Sequence, residues 1–271
     1  MSATTALPQL LQIPITDLPI RVKKEVFPIF KQTLTPETHI AIGVSSGCDS
    51  MTLICLLLLY YQQQKRDLKY LHILHCNHKI RKQSEIEADY LTKFFSSIDL
   101  QIFERSSNLL TTEKALREWR YSCFRQACEE FPLPKENAPE RGKGFQTALL
   151  FLGHHLEDRI ESTFLNCIRG AGLKGFLNMQ ILQPHPLLDN EGNVCRPLLN
   201  ITKNQILAFC EQFHIQYFED ESNKNLETSQ RNFLRHEILE KLTNMNNGNS
   251  NFLESMKNIY QQMETLEDSP Y

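Results

Sequence analysis

Among its eight cysteines the chain has no C-x-x-C pair. That absence speaks against a structural zinc ribbon, which needs closely spaced thiolates. Cys48, Cys55, Cys76, Cys123, Cys128, Cys167, Cys195 and Cys210 are scattered instead, several inside apolar runs where a thiol behaves as a small buried hydrophobe. A secretion signal is also missing: MSATTALPQLLQIPITDLPIRVKK has no basic lead-in and no small-residue cleavage site after a long apolar block. Reduced thiols and a cytoplasmic location are the expectation. The longest apolar run, Met51 to Tyr61, falls well short of the roughly 20 residues that span a bilayer, so no membrane partner is expected. Nor is there an excess of positive charge. At a formal net charge of −3, any nucleic-acid binding has to rest on local basic patches.

What is present is an ordinary globular composition, 41% hydrophobic and 23% charged over 271 residues, enough for one large domain and a small one. Strand-like and helix-like segments alternate through the middle. THIAIGV (38–44), KYLHILHCN (69–77), LQIFER (100–105) and TALLFLGHH (147–155) read as strands. Between and after them, 50–64, 84–95, 112–131 and 156–169 read as helices. This rhythm predicts an α/β fold, a parallel sheet of five or so strands with helices on both faces.

Segment 132–145 is rich in proline, glycine and charge and reads as a loop. Beyond it, 196–215 reads as a short strand entering a helix capped by Thr202, 220–225 as a turn, 229–242 as an amphipathic helix, 246–251 as a link and 252–267 as a final helix. Three regions follow: an N-terminal extension (1–30), a main domain (31–218) and a small helical domain (219–271).

Polar clusters interrupt the strand-to-helix junctions. In Ser45-Ser46-Gly47-Cys48-Asp49-Ser50, hydroxyls, a glycine and a helix start together suit phosphate, whose charge meets the helix N-terminus. An aspartate beside phosphate needs a cation, and Mg²⁺ is the economical one. The loop lacks the lysine of the G-x-x-x-x-G-K-[ST] pattern, and a capped turn that merely opens a core helix fits the same residues. His75-Cys76-Asn77-His78-Lys79-Ile80-Arg81 ends the second strand, as a ligand-facing cluster or a polar turn.

At the fourth junction, Gly153 to Ser162, Asp158 and Glu161 fall on one helix face opposite Leu156, Ile160 and Phe164. Adjacent carboxylates repel, so an ammonium group or a metal belongs between them unless the face is simply solvated. His154, His155 and Asp158 also admit a metal-hydrolase reading, although the spacing is not H-E-x-x-H. Arg169 to Gly175 holds three glycines and the cations Arg169 and Lys174; it suits phosphate or RNA backbone, or ends a helix. Arg120 stands on an apolar helix side, where it snorkels or pairs with something buried.

In order, SSGCDS, HCNHKIR, E-x-x-x-R-x-x-R-Y (113–121), GHHLEDRIES, RGAGLKG, RPLL (196–199), D-x-S-N (220–223) and R-N-x-x-R-H-E (231–237) resemble the motifs of the tRNA(Ile)-lysidine synthetase family, within the ATP pyrophosphatase (PP-loop) superfamily. The similarity runs from about 40 to 240, with departures at Ser46 (glycine in the family), Arg159 (glutamine) and Ser162 (threonine). The chain stops near 271, so the extra C-terminal domain of longer members is expected to be lacking.

The resemblance implies an adenine nucleotide alpha hydrolase-like fold and a ligase. ATP and Mg²⁺ would adenylate the wobble cytidine of an isoleucine tRNA with a CAU anticodon, and free L-lysine would then displace AMP to leave lysidine. Ser45, Ser46, Gly47, Cys48, Asp49 and Ser50 would bind ATP, with Asp49 on the metal. Asp158 and Glu161 would receive lysine. Arg117 and Arg120 would contact phosphate or the nucleotide intermediate, and a carboxylate or His155 would serve as base. Arg169, Lys174, Arg231 and Arg235 would meet tRNA. A homodimer is compatible with this reading and is not decided by it.

Overall fold

The computed structural model describes residues 7–35, 38–79, 83–105, 112–130, 148–172, 175–185, 188, 193–219, 230–245 and 251–267. Its strands are β1 (His39–Gly43), β2 (Leu71–Asn77), β3 (Asp99–Glu104), β4 (Ala148–Phe151), β5 (Leu182–Pro184) and β6 (Asn193–Cys195). They lie in the order β3-β2-β1-β4-β6-β5. Five run parallel, as the alternation predicts, and β5 closes one edge antiparallel to β6. A three-residue strand has no readable periodicity, which is why β5 has no counterpart in the sequence reading.

The helices are α1 (Leu7–Leu10), α2 (Ile20–Thr33), α3 (Cys48–Gln63), α4 (Gln83–Phe94), α5 (Glu113–Glu129), α6 (Leu156–Ile168), α7 (Lys203–Gln212), α8 (Gln230–Phe233), α9 (Glu240–Thr243) and α10 (Phe252–Glu267), with a π-helical turn, Leu234–Leu239, joining α8 to α9.

Alternation along β1 sends Ile40 and Ile42 into one apolar cluster and Ala41 into another, so both faces of the sheet need cover. On the first face lies α3, buried nearly all round between the sheet, α2 and α7, which is why its sequence has no polar stripe. On the second, Tyr121, Phe124 and Ala127 of α5 cover Leu74 and Leu150. Residues 7–30, the described part of the extension (1–30) expected from the sequence, share the main core: Phe30 of α2 meets the Tyr60 and Phe151 rings at 5.4 and 6.1 Å.

Two strands are shorter or shifted. The segment expected at 147–155 pairs only over Ala148–Phe151, because from Gly153 the chain turns over the start of α3. The short strand expected at 196 is β6, three residues earlier, and Arg196 to Leu199 turn instead. Thr202 caps α7 as read, accepting from the Gln205 N–H. The segments 132–145, 220–225 and 246–250 lie outside the described residues. All eight cysteines are free, and no helix among the described residues is long and apolar enough to cross a membrane.

The C-terminal helices pack on α6, where Leu156 and Ile160 meet Leu239, Met256 and Tyr260. Arg159 is anchored here. Its side chain is fully buried, lies 4.0 Å above the Tyr260 ring, and donates to Glu264 at 2.6 Å. Removing the anion strands a buried charge, which costs about 3 kcal/mol. Glu264→Ala is therefore expected to lower the melting temperature by roughly 6–10 °C. Calorimetry showing an unchanged transition would rule out this anchor.

Candidate active site

β1 ends where the strand order reverses: the chain proceeds to β2 and β3 on one side, then returns to β4 on the other. Ligands of open α/β sheets bind at the carboxyl ends of strands beside such a switch. The polar clusters at the ends of β1 and β4 meet there.

Val44 continues the ladder to Leu74, and the His75 Nδ1–H donates to the Val44 carbonyl at 2.8 Å, tying the second junction to the first. Within the loop, the Ser45 N–H donates to Ser50 Oγ and Ser50 Oγ donates to the Gly47 carbonyl, both at 3.0 Å. Ser50 is thus a buried brace of the loop, whereas Ser45 is exposed at its mouth.

Ser46 sits at φ 62°, the left-handed region where glycine would be free, at a cost of about 1–2 kcal/mol for a side chain. Its hydroxyl, with one proton to give, is within reach of the Ser45 carbonyl and of Glu87 of α4 at 3.0 Å, and its carbonyl accepts from the Phe218 N–H at 3.0 Å. A hydrogen bond to a carboxylate contributes roughly 1.5–3 kcal/mol and offsets the strain. Accordingly, Glu87→Ala is expected to cost about 2 kcal/mol in wild type and under about 1 in a Ser46→Gly background. Equal costs in the two backgrounds, by urea denaturation, would disprove the coupling.

Gly153 packs tightly on α3: a Cβ there would lie 3.0 Å from the Asp49 carbonyl carbon and the Ser50 nitrogen, so a side chain would force the two backbones apart by a few tenths of an ångström. This approach brings the β4 junction onto the first turn of α3. His155 lies beyond it, buried among three carboxylates. Its Nδ1 is 3.0 Å from Glu157, and its Nε2 is 3.5 Å from Asp158 and 3.9 Å from Asp49. Burial alone would push the ring down, but the carboxylates outweigh it and hold it up at about 9. Next to it, burial pushes His154 down to about 3, with Arg196, Arg117 and Arg231 adding to the shift.

Asp158 and Glu161 share a face of α6, and between them lies a guanidinium. Arg235, from the π-helical turn, donates through Nε to Glu161 at 2.6 Å, and through Nη2 to Glu161 at 3.0 Å and Asp158 at 3.3 Å. Arg231 donates to Ser162 at 3.0 Å and stands 3.5 Å from Glu161. Glu161 is fully buried, and burial holds it above the ordinary carboxylate range despite Arg235. Both arginines, assigned from the sequence to RNA, are thus aimed at the acidic pair.

Arg117 and Arg120 are exposed on α5. Arg117 lies 3.5 Å from His185, whose ring stacks on Tyr121 at 4.2 Å; Arg120 reaches His78 at 3.3 Å. Arg120 therefore pairs with the second junction rather than snorkelling. Arg169 is exposed at the far end of α6, and Gly170, at φ 79°, ends that helix. The structure does not bring Arg169 to the site, and Lys174 lies outside the described residues.

Lys203 was not singled out in the sequence. Its ammonium is 2.6 Å from Asp49 and 3.0 Å from the Cys48 sulfur. One signal was available: a lysine opening a helix stands against the dipole and implies an anion nearby.

An open, mostly parallel sheet with a hydroxyl-rich turn at its switch point defines the class of nucleotide-binding α/β proteins. Within that class the chain belongs to the PP-loop domain family, whose model matches residues 19–242. It is similar to the tRNA(Ile)-lysidine synthase of Streptococcus sanguinis (strain SK36), 32% identical over 235 residues, 86% of this chain and 48% of the relative. The enzyme of that name from Idiomarina loihiensis is 30% identical, over 76% of this chain and 42% of its own. The chain thus spans about half the length of the curated relatives it matches. In fold it also resembles the U34-tRNA thiolase NcsA from Methanococcus maripaludis, solved with its [4Fe-4S] cluster, at a TM-score of 0.63 and 18% identity over 92% of this chain and 80% of that one.

Proposed function

We propose that the protein is a tRNA(Ile)-lysidine synthetase acting in the cytoplasm. The wobble cytidine's 2-carbonyl oxygen, in a CAU anticodon, attacks the α-phosphorus of ATP, and pyrophosphate leaves. The amine of free L-lysine then attacks C2 and AMP leaves, giving lysidine. The observation that carries this reading is the meeting of two carboxylates at the switch point: His155 Nε2 lies 3.5 Å from Asp158 and 3.9 Å from Asp49. An amino acid held by the acidic pair is thereby next to a nucleotide held by the loop.

The guanidinium seated between Asp158 and Glu161 supports a cation site there, and a lysine ammonium carries the same charge. Lysine has a second amine, which must be neutral to attack. His155, held protonated by its carboxylates at neutral pH, is a donor in this arrangement. Ser45 and the first N–H groups of α3 face the phosphates, and the α3 dipole opposes the charge that grows on the leaving oxygen.

Asp49 would hold Mg²⁺. Its half-exposed carboxylate suits an ion that takes one or two protein oxygens and fills its shell with phosphates and water. Among the described residues no three His, Cys, Asp or Glu side chains form an all-protein cage. When bound, the ion would neutralise phosphate charge.

The test is incubation with ATP, Mg²⁺, radiolabelled lysine and a tRNA bearing CAU. Label entering the tRNA is the expected result. Pyrophosphate release that needs tRNA but ignores lysine would mean another nucleophile, and ATP binding without turnover would mean a silent nucleotide binder.

A further inference from the structure

We infer that Lys203 is the phosphate-contacting cation of the nucleotide loop, a lysine supplied by α7 where S-S-G-C-D-S has none of its own. The inference rests on the ATP reading above. From Val44 to Gln64 the sequence contains no basic residue, so any side-chain cation that meets the phosphates must come from elsewhere in the chain. Lys203, 154 positions beyond Asp49, brings its ammonium to the first turn of α3.

Its position is fixed rather than incidental. The Lys203 backbone N–H donates to both carboxylate oxygens of Glu157 at 3.0 Å, joining the start of α7 to the start of α6. The Leu156 N–H donates to the Ile201 carbonyl at 3.0 Å, a second tie between the same junctions. Thr202 and Gln205 form a reciprocal cap that sets the direction in which α7 leaves.

The ammonium and the positive ends of α3 and α7 converge; Glu157 meets the α7 end and Asp49 lies against the ammonium. The ammonium has three N–H donors; Asp49 and Cys48 take two, and no described residue takes the third. When the bond from the α-phosphorus to the cytidine oxygen forms, the bond to pyrophosphate breaks and its electron pair stays on the leaving oxygen. Lys203 stabilises that charge and holds the β- and γ-phosphates before the step.

Lys203→Met removes the charge and keeps the stem, and Lys203→Arg keeps the charge. Calorimetry with MgATP alone, without tRNA or lysine, is expected to show Met weakening binding about 10-fold, one charge-assisted contact. In tRNA-dependent pyrophosphate release, Met is expected to lower kcat about 100-fold, with the KM for lysine unchanged and Arg recovering most of the loss. Wild-type protein gives an independent readout: ATP, but not AMP, shields Lys203 from reductive methylation followed by mass spectrometry.

If Lys203 merely neutralises Asp49, Met lowers the melting temperature and leaves ATP affinity, kcat and the methylation pattern as in wild type. That result overturns the inference. Wild-type protein that binds ATP and releases pyrophosphate without lysine would refute the lysidine reading alone. Wild-type protein that binds no ATP would sink both.

Discussion

Asp49→Asn is expected to reduce tRNA-dependent pyrophosphate release by at least about 1,000-fold while leaving the protein folded. The substitution keeps size and shape and removes one charge. That charge does two things in the structure: it offers the carboxylate suited to Mg²⁺, and it holds the Lys203 ammonium at 2.6 Å. In the proposed reaction both groups would serve the phosphates, so both losses would fall on the same step. Stability should change little, because a half-exposed ion pair contributes only about 0–1 kcal/mol. The measurement is initial-rate pyrophosphate release alongside a thermal melt. A variant within about tenfold of wild type would show that Asp49 is not in the adenylation machinery.

Asp158→Asn is expected to act on the other half of the reaction. Here the KM for lysine should rise about 30–100-fold, with ATP affinity unchanged and pyrophosphate release at saturating lysine within a few-fold of wild type. Truncating one partner of a buried, hydrogen-bonded charge contact costs about 2–5 kcal/mol, and the lower end of that range gives this shift. Glu161→Gln should raise the KM similarly and also lower stability, because Glu161 is fully buried against Arg235 and Arg231. Lysine dependence identical to wild type in both variants would remove the acidic pair from lysine recognition.

Much of this was legible in the chain because it is local. The parallel sheet follows from alternating strand and helix periods, the buried α3 from a run with no polar stripe, and the cap at Thr202 from three adjacent residues. The three junctions could be placed on one rim by the rule that parallel strands end on the same side. Partners set by long-range packing could not be read. Arg235 lies 74 residues from Glu161, and Lys203 lies 154 from Asp49. No period or spacing connects them, and a basic helix near the end of the chain reads more simply as an RNA contact. The strain at Ser46 was legible as a departure from glycine, but its relief by Glu87 depends on how α4 crosses the loop. The role of α2 was hidden similarly, since its apolar face gains meaning only against Tyr60 and Phe151.

The central claim is that nucleotide and amino acid occupy one pocket, with lysine taking the place that Arg235 holds between Asp158 and Glu161. The direct measurement is a crystal structure of the protein with a non-hydrolysable ATP analogue and L-lysine. The account predicts phosphates against Ser45 to Ser50, a lysine ammonium between the two carboxylates, and the Arg235 guanidinium moved off them. Lysine bound elsewhere, with Arg235 still on Glu161, would contradict it.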